Sequence, residues 1–174
     1  RSVDGRTPAE QIEACYTEIR AIQAKQQVIR RGLFEKLAEQ DIHVLSYAQL
    51  GDEERNHLRE RFLADIFPVL TPLAMDPGHP FPFISNLALN LLVVLRYPAD
   101  SEGDPLLARV KVPIGKDVAA RFLEVPGRPG HFVVLEDLMI ANLDLLFPGM
   151  EIEAAELFRV TRNALVEKEE EEAE

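Results

Sequence analysis

Apolar residues recur at helical spacing from about residue 8 to residue 39 and predict one long amphipathic helix. Thr7-Pro8 with Glu10 is a typical helix start: threonine caps the first turn, proline suits its first position, and the glutamate completes a capping box. The face opposite the apolar one carries Glu, Gln, Lys and Arg, which predicts a solvated surface. The apolar positions are Ile12, Cys15 or Tyr16, Ile19, Ile22, Ile29, Leu33 and Leu37.

A second helix is expected after a short extended link at residues 41–45. Asp52 can cap its first turn. The helix should end near Phe67, because Pro68 disfavours helical geometry in the residue before it. Two helices joined by a short connection favour an antiparallel pair.

After Pro68 the pattern changes from helical spacing to short strands. Residues 87–97 and 106–112 are strand candidates separated by the turn sequence PADSEGDP. The pattern further predicts a strand at 131–135, a helix at 136–146, and over 152–162 a helical turn that continues as a strand. The expected class is α+β, with an N-terminal antiparallel helix pair followed by a mixed, mainly antiparallel small sheet with one or two helices. We place the domains at residues 1–67 and 68–174.

The segment FPVLTPLAMDPGHPFPFISNLALNLLVVL, residues 67–95, combines closely spaced prolines with apolar side chains. Proline-rich linkers are ordinarily polar. Proline fixes φ and reduces the entropy of the unfolded chain, so the segment should form a stiff crossover. We expect Phe81 and Phe83 to be buried, and their replacement by alanine to cost a few kcal/mol.

The composition and the net charge limit the class of protein and the partners that the chain can have. Apolar residues make up 47% and charged residues 28%, which is typical of a globular, soluble chain. A net charge of −11 argues against nucleic acid or membrane as the main partner, because binding a polyanion requires clustered Lys and Arg; a local basic groove stays an open alternative. No apolar run is long enough to span a membrane.

The chain lacks a signal peptide and an initiator methionine, so we expect a piece of a longer cytoplasmic protein, with peripheral membrane association of that protein left open. The single Cys15 cannot form an internal disulfide, which fits a reducing compartment. Its place on the apolar face of the first helix predicts plain packing.

The usual signatures of catalysis and of phosphate or metal binding are missing. Neither G-x-x-x-x-G-K-[ST] nor G-x-G-x-x-G occurs, and neither does C-x-x-C or H-E-x-x-H. We therefore assign no catalytic, cofactor-binding or metal-ligating residue. His79, held between two prolines beside Asp76, is a candidate proton carrier or phosphate acceptor, with a turn-fixing hydrogen bond as the alternative.

Two further pairs of polar residues are candidates. Asn86 and Asn90 stand four apart in an apolar run, where buried amides need partners; bridging or capping a loop is the structural alternative. Arg159 and Arg162 flank the end of a predicted strand and could hold an anion or a carboxylate across a dimer contact. Ordinary surface pairing is the alternative for the arginines.

The segment 67–95 resembles a string of the bacterial polyphosphate kinase family, F-P-x-L-T-P-L-A-x-D-P-x-H-P-F-P-x-x-S-N-L-S-L-N-L. The resemblance continues upstream in DGRTPAEQ, residues 4–11, and downstream in RVKVP, residues 109–113, and FRVTRN, residues 158–163. It covers nearly the whole chain in order. It implies the end of an N-terminal helical domain followed by the first part of a head domain.

Most of the function that the resemblance implies belongs to domains of the family's proteins that this chain does not include. The family transfers the terminal phosphate of ATP, with Mg²⁺, through a phosphohistidine to inorganic polyphosphate. The phosphorylated histidine belongs to C-terminal catalytic domains outside this chain, so His79 is not expected to be the phosphate acceptor. The resemblance implies a scaffold and homodimer role here, with polyphosphate bound only through the full-length protein.

Two other hypotheses are a free-standing interaction module and a small enzyme using His79 and Asp76. The length of the encoding reading frame separates the interaction module from the kinase fragment. Whether the chain binds ATP or polyphosphate by itself, and whether it dimerises alone, is not decided by the sequence.

Overall fold

The computed structural model describes residues 5–75, 83–98, 104–115 and 119–162, and the chain divides into two compact units, Arg1–Val44 and Leu45–Glu174. Its helices are α1 (Pro8–Ala38), α2 (Asp52–Arg61), α3 (Leu135–Ala141) and α4 (Leu143–Leu146). Its strands are β1 (His43–Leu45), β2 (Leu73–Met75), β3 (Leu89–Arg96), β4 (Leu106–Lys111), β5 (Phe122–Glu124), β6 (His131–Val134) and β7 (Glu151–Arg159). Helices with two mainly antiparallel sheets confirm the predicted α+β class.

The first unit is dominated by α1, which confirms the predicted long helix. Its capping box is formed as expected: the Thr7 hydroxyl accepts from the Glu10 amide at 3.3 Å, and the Glu10 carboxylate accepts from the Thr7 amide at 2.7 Å. No residue of α1 is buried, because the described residues of its own unit offer no second helix or sheet to cover the apolar face. Cys15, predicted to pack, is exposed. The exposed stripe comprises Ile12, Tyr16, Ile19, Ile22, Ile29 and Leu33.

The second helix begins as α2 with Gly51 at the cap position, so the predicted cap, Asp52, is the first helical residue instead. After α2 the chain continues as a π turn, Phe62–Ile66, and a 3₁₀ turn, Phe67–Val69. Helical geometry therefore runs past Pro68, because proline is tolerated in the first turn of a new helical segment. Since α1 and α2 belong to different units, their antiparallel pairing stays a prediction, as does the domain boundary at 67/68.

The second unit contains a four-stranded antiparallel sheet in the order β2-β4-β3-β7. The predicted strands at 87–97 and 106–112 are β3 and β4, paired so that Leu91 lies opposite Val110. The helical turn predicted at the start of 152–162 is wrong, because β7 pairs with β3 along its length. One face of the sheet packs on the second unit's hydrophobic core, whose buried members include Leu58, Phe62, Ile66, Leu91, Val93, Val110, Leu138 and Leu143.

The helix predicted at 136–146 is divided at Asn142 into α3 and α4. Asn142 is fully buried, and its side-chain amide donates to the Leu138 carbonyl at 2.7 Å, which satisfies a helix-end acceptor. Its amide oxygen accepts from Arg59 of α2 at 2.7 Å. Arg59 also donates to Asp144 at 2.6 Å. We call Arg59, Asn142 and Asp144 the helix junction.

Candidate functional site

The chain enters β3 through a corner that is tied to the end of β7. The Asn86 side-chain oxygen accepts from the Arg162 amide at 2.9 Å, and the Leu87 amide donates to the Val160 carbonyl at 2.9 Å. The Arg162 guanidinium lies over the Phe83 ring, 4.4 Å from its centroid. Asn86, Arg162 and the segment after β7 therefore form one corner of the second unit.

Phe83 does not have the burial expected for the proline-rich segment. Its side chain is 54% exposed, because its ring serves as a platform for the charged Arg162 side chain rather than as a core residue. Ile84 beside it is buried. Phe81 lies outside the described residues, so its expected burial stays a prediction.

Leu87 has a left-handed backbone, with φ of 61°. A non-glycine residue in this region carries strain of about 1 kcal/mol or more, and such strain persists where surrounding contacts impose it. The hydrogen bonds of the corner are such contacts. Leu87 also lines a cleft at this end of the sheet.

Asn90 and Arg109 form a buried pair on neighbouring strands. Asn90 is fully buried and Arg109 is 8% exposed. The Arg109 Nε donates to the Asn90 side-chain oxygen at 2.9 Å, and the Asn90 amide donates to the Ala88 carbonyl at 2.8 Å. Asn90 therefore makes the kind of loop-bridging hydrogen bond expected of it, and Asn86 does the same with Arg162.

Among the described residues no carboxylate forms an ion pair with Arg109. Removal from water disfavours a charged form, and burial lowers the pKa of Arg109 from its usual value. A guanidinium stays protonated at physiological pH even so. Arg109 is therefore a desolvated cation supported by a neutral amide.

Two clefts open at this end of the sheet. The first has a volume of about 410 Å³, and its polar lining consists of Asn86, Lys111, Arg121 and Arg159. The second has a volume of about 360 Å³ and is lined by Thr71, Arg109 and Lys111 together with apolar residues. Lys111 lies opposite Asn90 and Arg159 lies opposite Leu89, so their side chains are on opposite faces of the sheet. We call the second cleft, with Thr71, Arg109 and Lys111, the basic groove.

The side chain of Arg121 in the first cleft is held by an ion pair with Glu136 of α3. Glu136 is 3% exposed, and the Arg121 Nε donates to its Oε1 at 2.9 Å. The other carboxylate oxygen, Oε2, is buried with no hydrogen-bond partner among the described residues. Burial and then the charge of Glu136 raise the pKa of the neighbouring Asp137. The positive charge of Arg121 is thus largely compensated, unlike that of Arg109.

The structure brings together part of the predicted set. Asn86 and Arg159 line the first cleft, Arg162 adjoins it through Asn86, and Asn90 lies beneath, facing Lys111 across the sheet. The predicted pair His79 and Asp76 lies outside the described residues. Three cations were missed as site residues: Arg109, Lys111 and Arg121. The signal for the first two was the alternation ARVKV, which places both on one face of a strand.

The described residues contain neither a cluster of metal ligands nor a helix able to span a membrane. Across residues 5–75, 83–98, 104–115 and 119–162, His, Cys, Asp and Glu nowhere gather in threes at a spacing that could hold a metal ion. Over the same ranges, no helix combines the length and the apolar character needed to cross a membrane.

Comparison with known proteins first gives the class of domain. The family model described as the polyphosphate kinase middle domain matches residues 53–174. Polyphosphate kinases from Synechocystis and Streptomyces coelicolor are 45% and 43% identical to the chain over 99% and 100% of its length. The crystal structure of polyphosphate kinase from Porphyromonas gingivalis aligns with a TM-score of 0.72 and 27% identity, covering 84% of this chain and 24% of that one.

The chain belongs to the polyphosphate kinase family, which confirms the resemblance noted in its sequence. It spans 25% of the length of the Synechocystis protein and 22% of the Streptomyces coelicolor protein.

Proposed function

We propose that this chain is the structural middle part of an enzyme that transfers the terminal phosphate of ATP to inorganic polyphosphate through a phosphohistidine, using Mg²⁺. The observation that carries the proposal is the middle-domain match over residues 53–174, together with 45% identity to a polyphosphate kinase across 99% of the chain. Because the chain spans 25% of that relative, we assign the phosphate transfer to catalytic domains of the same protein.

The role that we assign to this chain is to support those domains and to contribute contacts to a homodimer in the cytoplasm. A dense core and the buried hydrogen bonds of the helix junction are suited to a rigid support. The exposed apolar stripe of α1 is the kind of surface that other parts of a protein cover.

The proposal is tested by comparing this chain with the longer protein that contains it, each supplied with ATP and Mg²⁺. We expect the longer protein to form polyphosphate and to sediment as a dimer, and the chain alone to form none. A longer protein that is folded but makes no polyphosphate would contradict the proposed activity and favour an interaction module without catalysis.

The alternative in which His79 and Asp76 carry the chemistry is tested in the same longer protein. His79→Ala should leave polyphosphate formation within about twofold of the parent, because the phosphate acceptor is assigned elsewhere. Loss of activity in a variant with unchanged thermal stability would give His79 a catalytic role instead.

A further inference from the structure

The exposed apolar stripe of α1 follows a seven-residue repeat. Its members alternate at intervals of three and four residues, which is the spacing of the a and d positions of a coiled coil. A helix with this repeat has a narrow apolar seam that matches the seam of another such helix. Between residues 12 and 33, every side chain at these positions is exposed. Position a holds Ile12, Ile19, Gln26 and Leu33, and position d holds Cys15, Ile22 and Ile29.

The length and the exposure of this seam indicate a helical partner. α1 has 31 residues, which makes it about 46 Å long, and the seam follows most of that length. Ile22, near its centre, is 51% exposed. Contact of so long an apolar seam with water is unfavourable, and a second helix laid along it would remove that contact. Gln26, the polar member, is the kind of residue that fixes the register of a coiled coil at a cost in stability.

Two charges beside the seam decide the orientation of the partner. Glu18 and Lys25 occupy g positions, and the residues three and four away from either of them on α1 are all uncharged. Among the described residues neither takes part in an ion pair. In a parallel pair of α1 helices, a g position faces the e position of the next heptad, so Lys25 would meet Arg30 of the second copy. In an antiparallel pair, g faces g, and Glu18 meets Lys25 of the second copy.

The antiparallel register that joins these two charges also matches the apolar residues. Ile19 then faces Ile22 of the second copy, and Ile12 faces Ile29. Because the pair has two-fold symmetry, each of these contacts occurs twice. The charged positions and the isoleucines therefore specify the same register independently.

We propose that α1 associates with α1 of a second copy as an antiparallel coiled coil, with Glu18 and Lys25 forming reciprocal ion pairs beside the seam. The partner is a second copy because the two charges complement each other across a two-fold axis, a property that only self-association requires. The inference rests on the proposed function for the existence of a homodimer. It assigns that dimer a surface, an orientation and a register.

Sedimentation equilibrium of the 174-residue chain tests the association. We expect a dimer of twice the 19.6 kDa chain, with a micromolar Kd. Ile22→Glu places two charges in the seam and should raise Kd at least about a hundredfold. Ala24→Glu adds the same charge on the opposite face of α1 and should leave Kd within about twofold of the parent. Both side chains are exposed in the chain, so thermal unfolding should be unchanged in either variant.

Charge reversals test the orientation. In the antiparallel register, Lys25→Glu replaces attraction to Glu18 by repulsion and should raise Kd about tenfold. Combining it with Glu18→Lys restores opposite charges and should return Kd to near the parent value. In a parallel pair the same Lys25→Glu change would attract Arg30 and tighten the dimer, so a lower Kd would overturn the orientation. Arg31→Glu, on the outer face of α1, is the control for the change in net charge.

Three results would overturn the coiled coil. The chain could stay monomeric at about 100 µM, far above a micromolar Kd. Ile22→Glu could dimerise as well as Ala24→Glu does, or the charge reversal and its rescue could leave Kd unchanged. In the longer protein, Ile22→Glu should likewise abolish the dimer; a dimer that persists there would show that another segment covers the stripe.

Failure of this inference is distinguishable from failure of the proposed function. If the longer protein forms polyphosphate while α1 does not self-associate, only the coiled coil is lost. If the coiled coil forms while the longer protein makes no polyphosphate, the coiled coil remains and the proposed activity is lost.

Discussion

The helix junction and the basic groove each hold an arginine against an asparagine side chain, and they differ in what else each arginine meets. Arg59 donates to Asn142 at 2.7 Å and Arg109 donates to Asn90 at 2.9 Å. Arg59 also donates to Asp144 at 2.6 Å, whereas Arg109 has no carboxylate partner among the described residues. The two regions thus share a motif and differ by one negative charge.

The two arginines also differ in how far they are exposed to water. The side chain of Arg59 is 36% exposed, so water can hydrate its charge, and it has a carboxylate partner as well. Arg109 is 8% exposed, where a partner matters more, yet its described partner is neutral. The hydrogen bond with Asp144 raises the pKa of Arg59, while burial lowers the pKa of Arg109. Arg59 thus joins two helices through an amide and a carboxylate, whereas the described side-chain partner of Arg109 in the groove is an amide alone.

Of the two regions compared, the helix junction should show the larger effect, at Asn142. Asn142→Ala should lower the free energy of unfolding by about 2–3 kcal/mol, because it leaves the Leu138 carbonyl and Arg59 without their buried partner. Urea denaturation of the chain measures this loss. Asn86→Ala, at an exposed position, is the matched control and should cost less than about 1 kcal/mol; equal losses would contradict the structural role of Asn142.

The carboxylate of the junction should make stability depend on pH. The hydrogen bond from Arg59 lowers the folded-state pKa of Asp144. Its contribution is therefore present above the usual aspartate pKa of about 3.9 and is lost as the pH falls through the lower folded-state pKa. Because Asp144 is 58% exposed, Asp144→Asn should cost only about 1 kcal/mol at neutral pH. Melting curves should converge in acid; a gap that is constant with pH would contradict this.

Removing the unmatched cation should have a smaller effect. Arg109→Met should change the free energy of unfolding by no more than about 1 kcal/mol, because loss of the bond to Asn90 is offset by removal of a buried charge. Urea denaturation measures the change, with Arg59→Met as the matched variant in the junction. A loss larger than that of Arg59→Met would show that Arg109 is matched after all.

The smallest effect is expected at the corner through which the chain enters β3. Phe83→Ala should cost about 0.5 kcal/mol, the contribution of an exposed cation–π contact with Arg162. Its ring is 54% exposed, so the loss of several kcal/mol expected for a buried phenylalanine does not apply. Thermal melting measures the change against Phe62→Ala, a fully buried position where about 3–5 kcal/mol is expected. Similar losses of stability in the two variants would contradict the exposed position of Phe83.

The sequence predicted well those elements whose pattern lies within a single segment of the chain. The capping box and the repeated isoleucines placed α1, and apolar alternation placed β3 and β4. The predictions were wrong where another part of the chain decides the outcome. Asn142 breaks the 136–146 helix because Arg59 and Leu138 bind its amide, and β7 is a strand to its first residue because β3 pairs with it.

The candidate site at this end of the sheet was only partly predictable for the same reason. Asn86, Asn90, Arg159 and Arg162 stood out within their own segments. Arg109 and Lys111 looked like ordinary polar positions of an amphipathic strand, and Arg121 looked like an isolated charge. Only strand pairing shows that Arg109 lies against Asn90 and that Lys111 and Arg159 flank β3.

The left-handed backbone of Leu87 has a consequence for motion at the first cleft. Strain that is held by a few hydrogen bonds is released when they open, so the corner should open locally at a lower free energy than the paired strands beside it. Arg109 and Lys111 stand on the paired strands and Asn86 stands on the corner. Opening of the corner would therefore reshape the first cleft while the cations of the paired strands keep their positions.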